Sequence, residues 1–186
     1  MAEDRRPILV PLDGSALAET ALPWAVVLAT RWRAPLVLAR VVELRLHAAV
    51  SLAEAALAAG AYEHEEQEAR AYLDRTLSTL RAAHPEVEMR GEVVCGDAAG
   101  ALLELEQQIN ARVVALTTHG RTGLARWARG SVAETIVRHG AAPVLLVRPW
   151  DRDETAAHLD GLAHGGLRVL VPLDGSPLAQ GVLPLV

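Results

Sequence analysis

The stretch "ARVVALTTHGRTGLARWARGSVAETIVRHGAAPVLLVRP", residues 111–149, decides the fold. An apolar run closes at Thr117, a segment of glycines and arginines carries the chain to Ser131, helix-forming residues continue to about His139, and a second apolar run fills Ala142 to Pro149. Short continuous apolar runs that stop at turn residues read as strands buried on both faces. Strand, helix and strand in that order form the crossover unit of a parallel sheet covered on both sides.

The same alternation extends toward the amino terminus. "PILVPLD" (Pro7 to Asp13) is a first strand that stops at a Gly-Ser turn. Ser15 caps a helix running through Leu17, Ala21, Trp24, Ala25 and Leu28, which Pro23 either kinks or marks as a false start. "APLVLARVVEL" (Ala34 to Leu44) is a second strand, followed by a loop or helical turn around His47 and one long helix from about Ser51 to Arg81. "EVEMRGEVVCGD" holds a third strand ending at Gly96-Asp97, and a helix over Ala98 to Ile109 leads into the fourth. The reading is an open five-stranded parallel α/β sheet of order 3-2-1-4-5. In such sheets ligands sit at the carboxyl ends of the strands, where the order reverses. Asp13 and the segment from Thr117 to Ser131 are then expected to share one site.

Leu9 to Ser15 recur without a break as Leu170 to Ser176, at an offset of 161 residues. Leu17, Ala18, Leu22 and Pro23 recur as Leu178, Ala179, Leu183 and Pro184. The expected organisation is a module over 1–149, a polar linker over 150–167 and the start of a second copy over 168–186. That start is either a truncated tandem module or a natural short form whose last strand is used elsewhere.

The totals narrow the function classes. With 51% apolar residues and no phenylalanine, the core must be aliphatic. The net charge of −5 and the scattered basic residues argue against nucleic acid as a partner. The single cysteine, Cys95, has no companion for a disulfide or a cysteine-rich metal site and reads as a small buried apolar residue. The seven histidines lack metal-ligand spacing. No apolar run is long enough for a signal peptide core or a membrane span, so a cytoplasmic protein is expected.

The glycine segment carries the chemistry. Gly120, Gly130 and Ser131 can offer backbone amides, and Ser131 a hydroxyl, to an anion at the start of the following helix. The alternative is a plain turn at Gly120 and a plain cap at Ser131. Asp13 can meet a ribose hydroxyl, an adenine amine or a phosphate-bound Mg²⁺, or can simply shape an Asp-Gly turn. Arg121, Arg126 and Arg129 can reach phosphates or stay solvated, and Trp127 can cover a ligand or pack on a partner. His119 has no nucleophile with a carboxylate partner around it, so it positions a ligand and no catalytic residue is expected. The spacing is not that of a Walker hydrolysis loop.

Through "ILVPLDGS", "VLARVVEL", "VVCGDAAGALLE" and "THGRTGLARWARGSVAETIVRHGAAPVLLVRP", the first 149 residues resemble a universal stress protein module. The resemblance implies the 3-2-1-4-5 sheet and a homodimer through strand 143–148. It also implies binding of ATP, or of ADP or AMP, with Mg²⁺ on the phosphates and Asp13. The ATP-binding branch carries G-x-x-G, nine residues, then G-[ST]; Gly120, the residues Arg121 to Arg129 and Gly130-Ser131 match, while Thr117 stands where the first glycine belongs. Carried over residue by residue, the ligand-contacting set is Pro11, Asp13, Val41, Thr117, His119, Gly120, Arg121, Gly130, Ser131 and Val132, with Val41 meeting adenine through its backbone. No general base for an attacking water stands out, so at most slow hydrolysis is expected, with the module acting as a stress-response sensor alongside an unidentified protein partner. The alternative is a nucleotide-free dimerisation module with a degenerate loop. An adenylating enzyme would need a Ser-Gly-Gly-x-Asp-Ser loop, and "PLDGSA" is not one.

Overall fold

A computed structural model describes residues 4–43, 52–117, 132–148, 155–156 and 158–161. The chain separates into two compact units, Met1–Pro149 and Trp150–Val186. In the second unit the described residues, 155–156 and 158–161, are helical, and the repeated stretch 168–186 lies outside the described residues.

The first unit follows the alternating pattern as β1 (Ile8–Pro11), α1 (Ala16–Glu19), α2 (Leu22–Trp32), β2 (Leu36–Val42) and α3 (Leu52–Ala83). It continues as β3 (Met89–Cys95), α4 (Ala98–Gln108), β4 (Val113–Thr117), α5 (Val132–His139) and β5 (Val144–Val147). The strands form one parallel sheet of order β3-β2-β1-β4-β5. β1 is central because Ile8, Leu9 and Val10 are apolar on both faces and fully buried. Its alternate residues feed two cores. Ile8 and Val10 pack with Ala25 and Ala29 of α2 and Leu73 and Leu77 of α3, whereas Leu9 packs with Leu102 and Leu105 of α4 and Ile136 of α5.

Pro23 resolves as a boundary. α1 ends at Glu19, and Pro23 sits in the first turn of α2, where a missing N–H costs nothing. The Ser15 side chain caps α1 by accepting from the Ala18 amide at 3.1 Å.

Two features of this frame build the site. α3 has 32 residues, about 48 Å at 1.5 Å per residue, whereas the seven residues of β2 span only about 23 Å. The helix follows the carboxyl end of β2 in the chain and buries Ala69, Leu73 and Leu77, so its earlier turns overhang that end of the sheet. Gly91 in β3 permits this close approach, since a Cβ there would lie 3.1 Å from Leu77 Cδ1 and 3.3 Å from Leu73 Cβ. Secondly, β1 leaves the ladder early. Pro11 pairs with Ala39, Leu12 N donates to Ala39 O at 2.8 Å, and Arg40 to Val42 continue alongside β3.

The expectation for Cys95 is overturned: the thiol is exposed. β3 is an edge strand, so its last residue lacks the second neighbouring strand that buries a central position.

Candidate functional site

The carboxyl ends of β1, β2 and β4 open into a cavity of about 940 Å³. Pro11, Asp13, Val41, Thr117 and Val132 all line it, drawn from separate segments of the chain. His119, Gly120, Arg121, Gly130 and Ser131 lie outside the described residues, as do Arg126, Trp127 and Arg129.

Asp13 follows the last buried turn of β1. Its Oδ1 accepts from the Ser15 amide at 2.9 Å, and Gly14 completes the turn at φ 83°, a conformation that favours glycine. The turn reading is therefore correct, yet it leaves the carboxylate exposed at the cavity mouth. Partial burial alone would raise the carboxyl's pKa. Hydrogen bonding from Ser15 and the Arg40 charge outweigh it and hold the group below the ordinary carboxylate value.

Val41 lies on β2 beyond the last rung shared with β1, so the side of its backbone that β1 would have paired borders the cavity. A backbone edge of this kind can hydrogen-bond a heterocycle without help from side chains.

Thr117 ends β4, and its hydroxyl is committed to the protein frame. Thr20 donates its proton to Leu17 O at 2.7 Å, so the Thr117 hydroxyl gives its single proton either to the Thr20 oxygen at 3.2 Å or to Ala18 O at 3.4 Å. The side chain that replaces the motif's glycine therefore fastens β4 to the end of α1.

The lining residues that escaped the motif reading include Arg40, Tyr72 and Arg75. Arg40 carries a charge inside an apolar strand, and that interruption was the available signal. Its guanidinium stands over the Tyr72 ring, 5.8 Å from the centroid. Tyr72 in turn donates to Glu19 Oε1 at 2.8 Å, tying α3 to α1. Burial, and then the Glu19 bond, push its hydroxyl up to about 12.

Behind the β4 side lies Glu106 of α4, only 2% exposed. Its Oε1 accepts from the Ala142 amide at 2.5 Å, clamping the turn that joins α5 to β5. Among the described residues no group of three or more His, Cys, Asp or Glu is placed to hold a metal ion, and no helix is long and apolar enough to cross a membrane.

The sequence profile described as the Universal stress protein family matches residues 4–148. A universal stress protein of Mycolicibacterium smegmatis is 29% identical over 147 residues, covering 79% of this chain and 47% of that protein. The chain thus spans about half the length of that curated relative. Among solved structures, UspA from Lactobacillus plantarum aligns with a TM-score of 0.65 at 23% identity, over 77% of this chain and 98% of that one. A universal stress protein solved in complex with cAMP aligns with a TM-score of 0.59 at 21% identity, over 77% and 97%. With the profile spanning the whole sheet from β1 to β5, the chain belongs to the universal stress protein family.

Proposed function

We propose that this protein binds an adenine nucleotide in the cavity at the carboxyl ends of β1, β2 and β4, and retains it without fast turnover. One observation carries the reading: Pro11, Asp13, Val41, Thr117 and Val132, the described members of the family's ligand-contacting set, line a single cavity. Its volume of about 940 Å³ suits a small organic ligand. The similar protein solved with cAMP supports the choice of an adenine nucleotide. In this reading Val41 meets the base, Asp13 the ribose, and Gly120, Gly130 and Ser131 the phosphates. His119 and Arg121 position them. ATP, ADP and AMP all remain within the class.

The protein acts as a cytoplasmic stress-response regulator in this reading. Nucleotide occupancy changes the affinity of β5 for a second copy or another protein. Such a switch requires the nucleotide to bind the two states unequally. β5 supports the pairing role, since it is an edge strand of four apolar residues with Leu146 37% exposed.

A second reading, a nucleotide-free dimerisation module, draws on Thr117, whose hydroxyl serves the α1 contact. Calorimetric titration of the stripped protein and its Gly130→Leu variant with ATP separates the two. Nucleotide binding predicts a loss of affinity of about 100-fold or more in the variant, because a side chain would fill the phosphate cradle. Equal heats for both proteins, with dimerisation intact, would select the second reading.

A further inference from the structure

We infer that Arg40 supplies a fixed positive charge beside Asp13 in this cavity, so that the adenine nucleotide is bound without metal at Asp13. The inference rests on the nucleotide-binding reading above.

Arg40 lies just past the last rung that β2 shares with β1, and its guanidinium folds back over the turn that follows β1. Nη1, Cζ and Nη2 lie 3.2, 3.5 and 3.6 Å from the position a Cβ on Gly14 would occupy. The missing side chain at Gly14 is what admits the guanidinium there. Its other neighbour is the Tyr72 ring, itself fixed by the bond to Glu19. The charge is thus held between a turn and a ring, and among the described residues no carboxylate ion pair consumes it.

The donor set at Asp13 suits this cation better than Mg²⁺. Mg²⁺ demands near-octahedral oxygen coordination. Asp13 already spends Oδ1 on the Ser15 amide, and although Glu43, Glu65 and Glu68 also line the cavity, among the described residues no group of three or more His, Cys, Asp or Glu is placed to hold a metal ion. A divalent ion at this carboxylate would also face the repulsion of the neighbouring guanidinium. Arg40 instead presents a planar fork of donors, which matches phosphate or paired ribose oxygens.

The test titrates the full stripped chain with AMP and with ATP, once in EDTA and once in excess Mg²⁺. Wild type is expected to bind each nucleotide with the same Kd, within about threefold, in both buffers. Arg40→Met is expected to weaken binding in EDTA by about tenfold or more and to regain part of it on adding Mg²⁺. Arg40→Lys, which keeps the charge and loses the fork, should fall between the two. A thermal melt of each variant confirms that it is folded. Wild-type binding that needs Mg²⁺, or an Arg40→Met variant that binds in EDTA as wild type does, overturns the role of Arg40 and leaves the nucleotide reading standing. Absence of binding by wild type in both buffers removes both.

Discussion

The cavity has two unlike walls. On the β1–β2–α3 side the polar groups face the cavity and hold one another: Asp13 with the Ser15 amide, Arg40 with the Tyr72 ring, Tyr72 with Glu19. On the β4–α5 side the described polar groups turn into the protein frame. The Thr117 hydroxyl faces Ala18 O and the Thr20 hydroxyl, and Glu106 clamps the turn at Ala142. What that second wall shows the cavity is Leu116, the end of Thr117, Val132 and Ala133. The difference assigns the tasks. In the nucleotide-binding reading, charge recognition falls to the first wall, while the described part of the second wall supplies shape and anchorage.

Three substitutions can break or sharpen that contrast. The largest effect is expected at Gly140, behind the second wall. A Cβ there would meet Ile136 O at 2.6 Å and Glu106 Oε2 at 2.9 Å, neither of which can move away cheaply. Gly140→Ala should cost about 3 kcal/mol, read from urea unfolding. A cost below about 1 kcal/mol would mean that the anchorage is loose.

Thr117→Gly restores the motif's glycine and removes the hydroxyl's bond to the end of α1. One lost hydrogen bond and a freer backbone should together cost about 2 kcal/mol of stability. Because the hydroxyl points into the frame, nucleotide affinity should change by less than about threefold. A rise of about tenfold or more would show instead that the threonine obstructs the phosphates.

The smallest effect is expected from Tyr72→Phe, which keeps the ring under Arg40 and removes the bond to Glu19, at a cost of about 1 kcal/mol near neutral pH. The pH dependence carries a sign. The hydroxyl's pKa rises from 10.0 to about 12 on folding, so its contribution is complete below pH 10.0 and is lost as pH climbs through about 12. Melting temperatures measured across that window should fall more steeply for wild type than for the variant. Parallel curves would show that Tyr72 does not couple α3 to α1.

The walls also differ in how legible they are in sequence. Periodicity and turn residues expose the alternation of strands and helices, because apolar runs and glycines report local structure directly. The strand order then brings Asp13 to Thr117 across some hundred residues of chain. The β2–α3 contacts escape this reading. They depend on how far α3 overhangs the sheet and on β1 ending before β2, and both are registers of packing that no local motif encodes. Cys95 fails for a related reason, since a position in an apolar strand is buried only if the sheet continues past it. Arg40 was half visible, as a charge in an apolar strand, but its meaning needed Gly14 and Tyr72 in place.

The most direct test of the account is to denature the freshly purified protein, identify the released small molecules by mass spectrometry, and titrate the stripped chain with adenine nucleotides. The account predicts AMP, ADP, ATP or cyclic AMP released at close to one per chain, and saturable rebinding to the stripped protein. No released nucleotide, and no binding at about millimolar concentrations, would contradict it and leave the apolar edge of β5 as the working surface of the molecule.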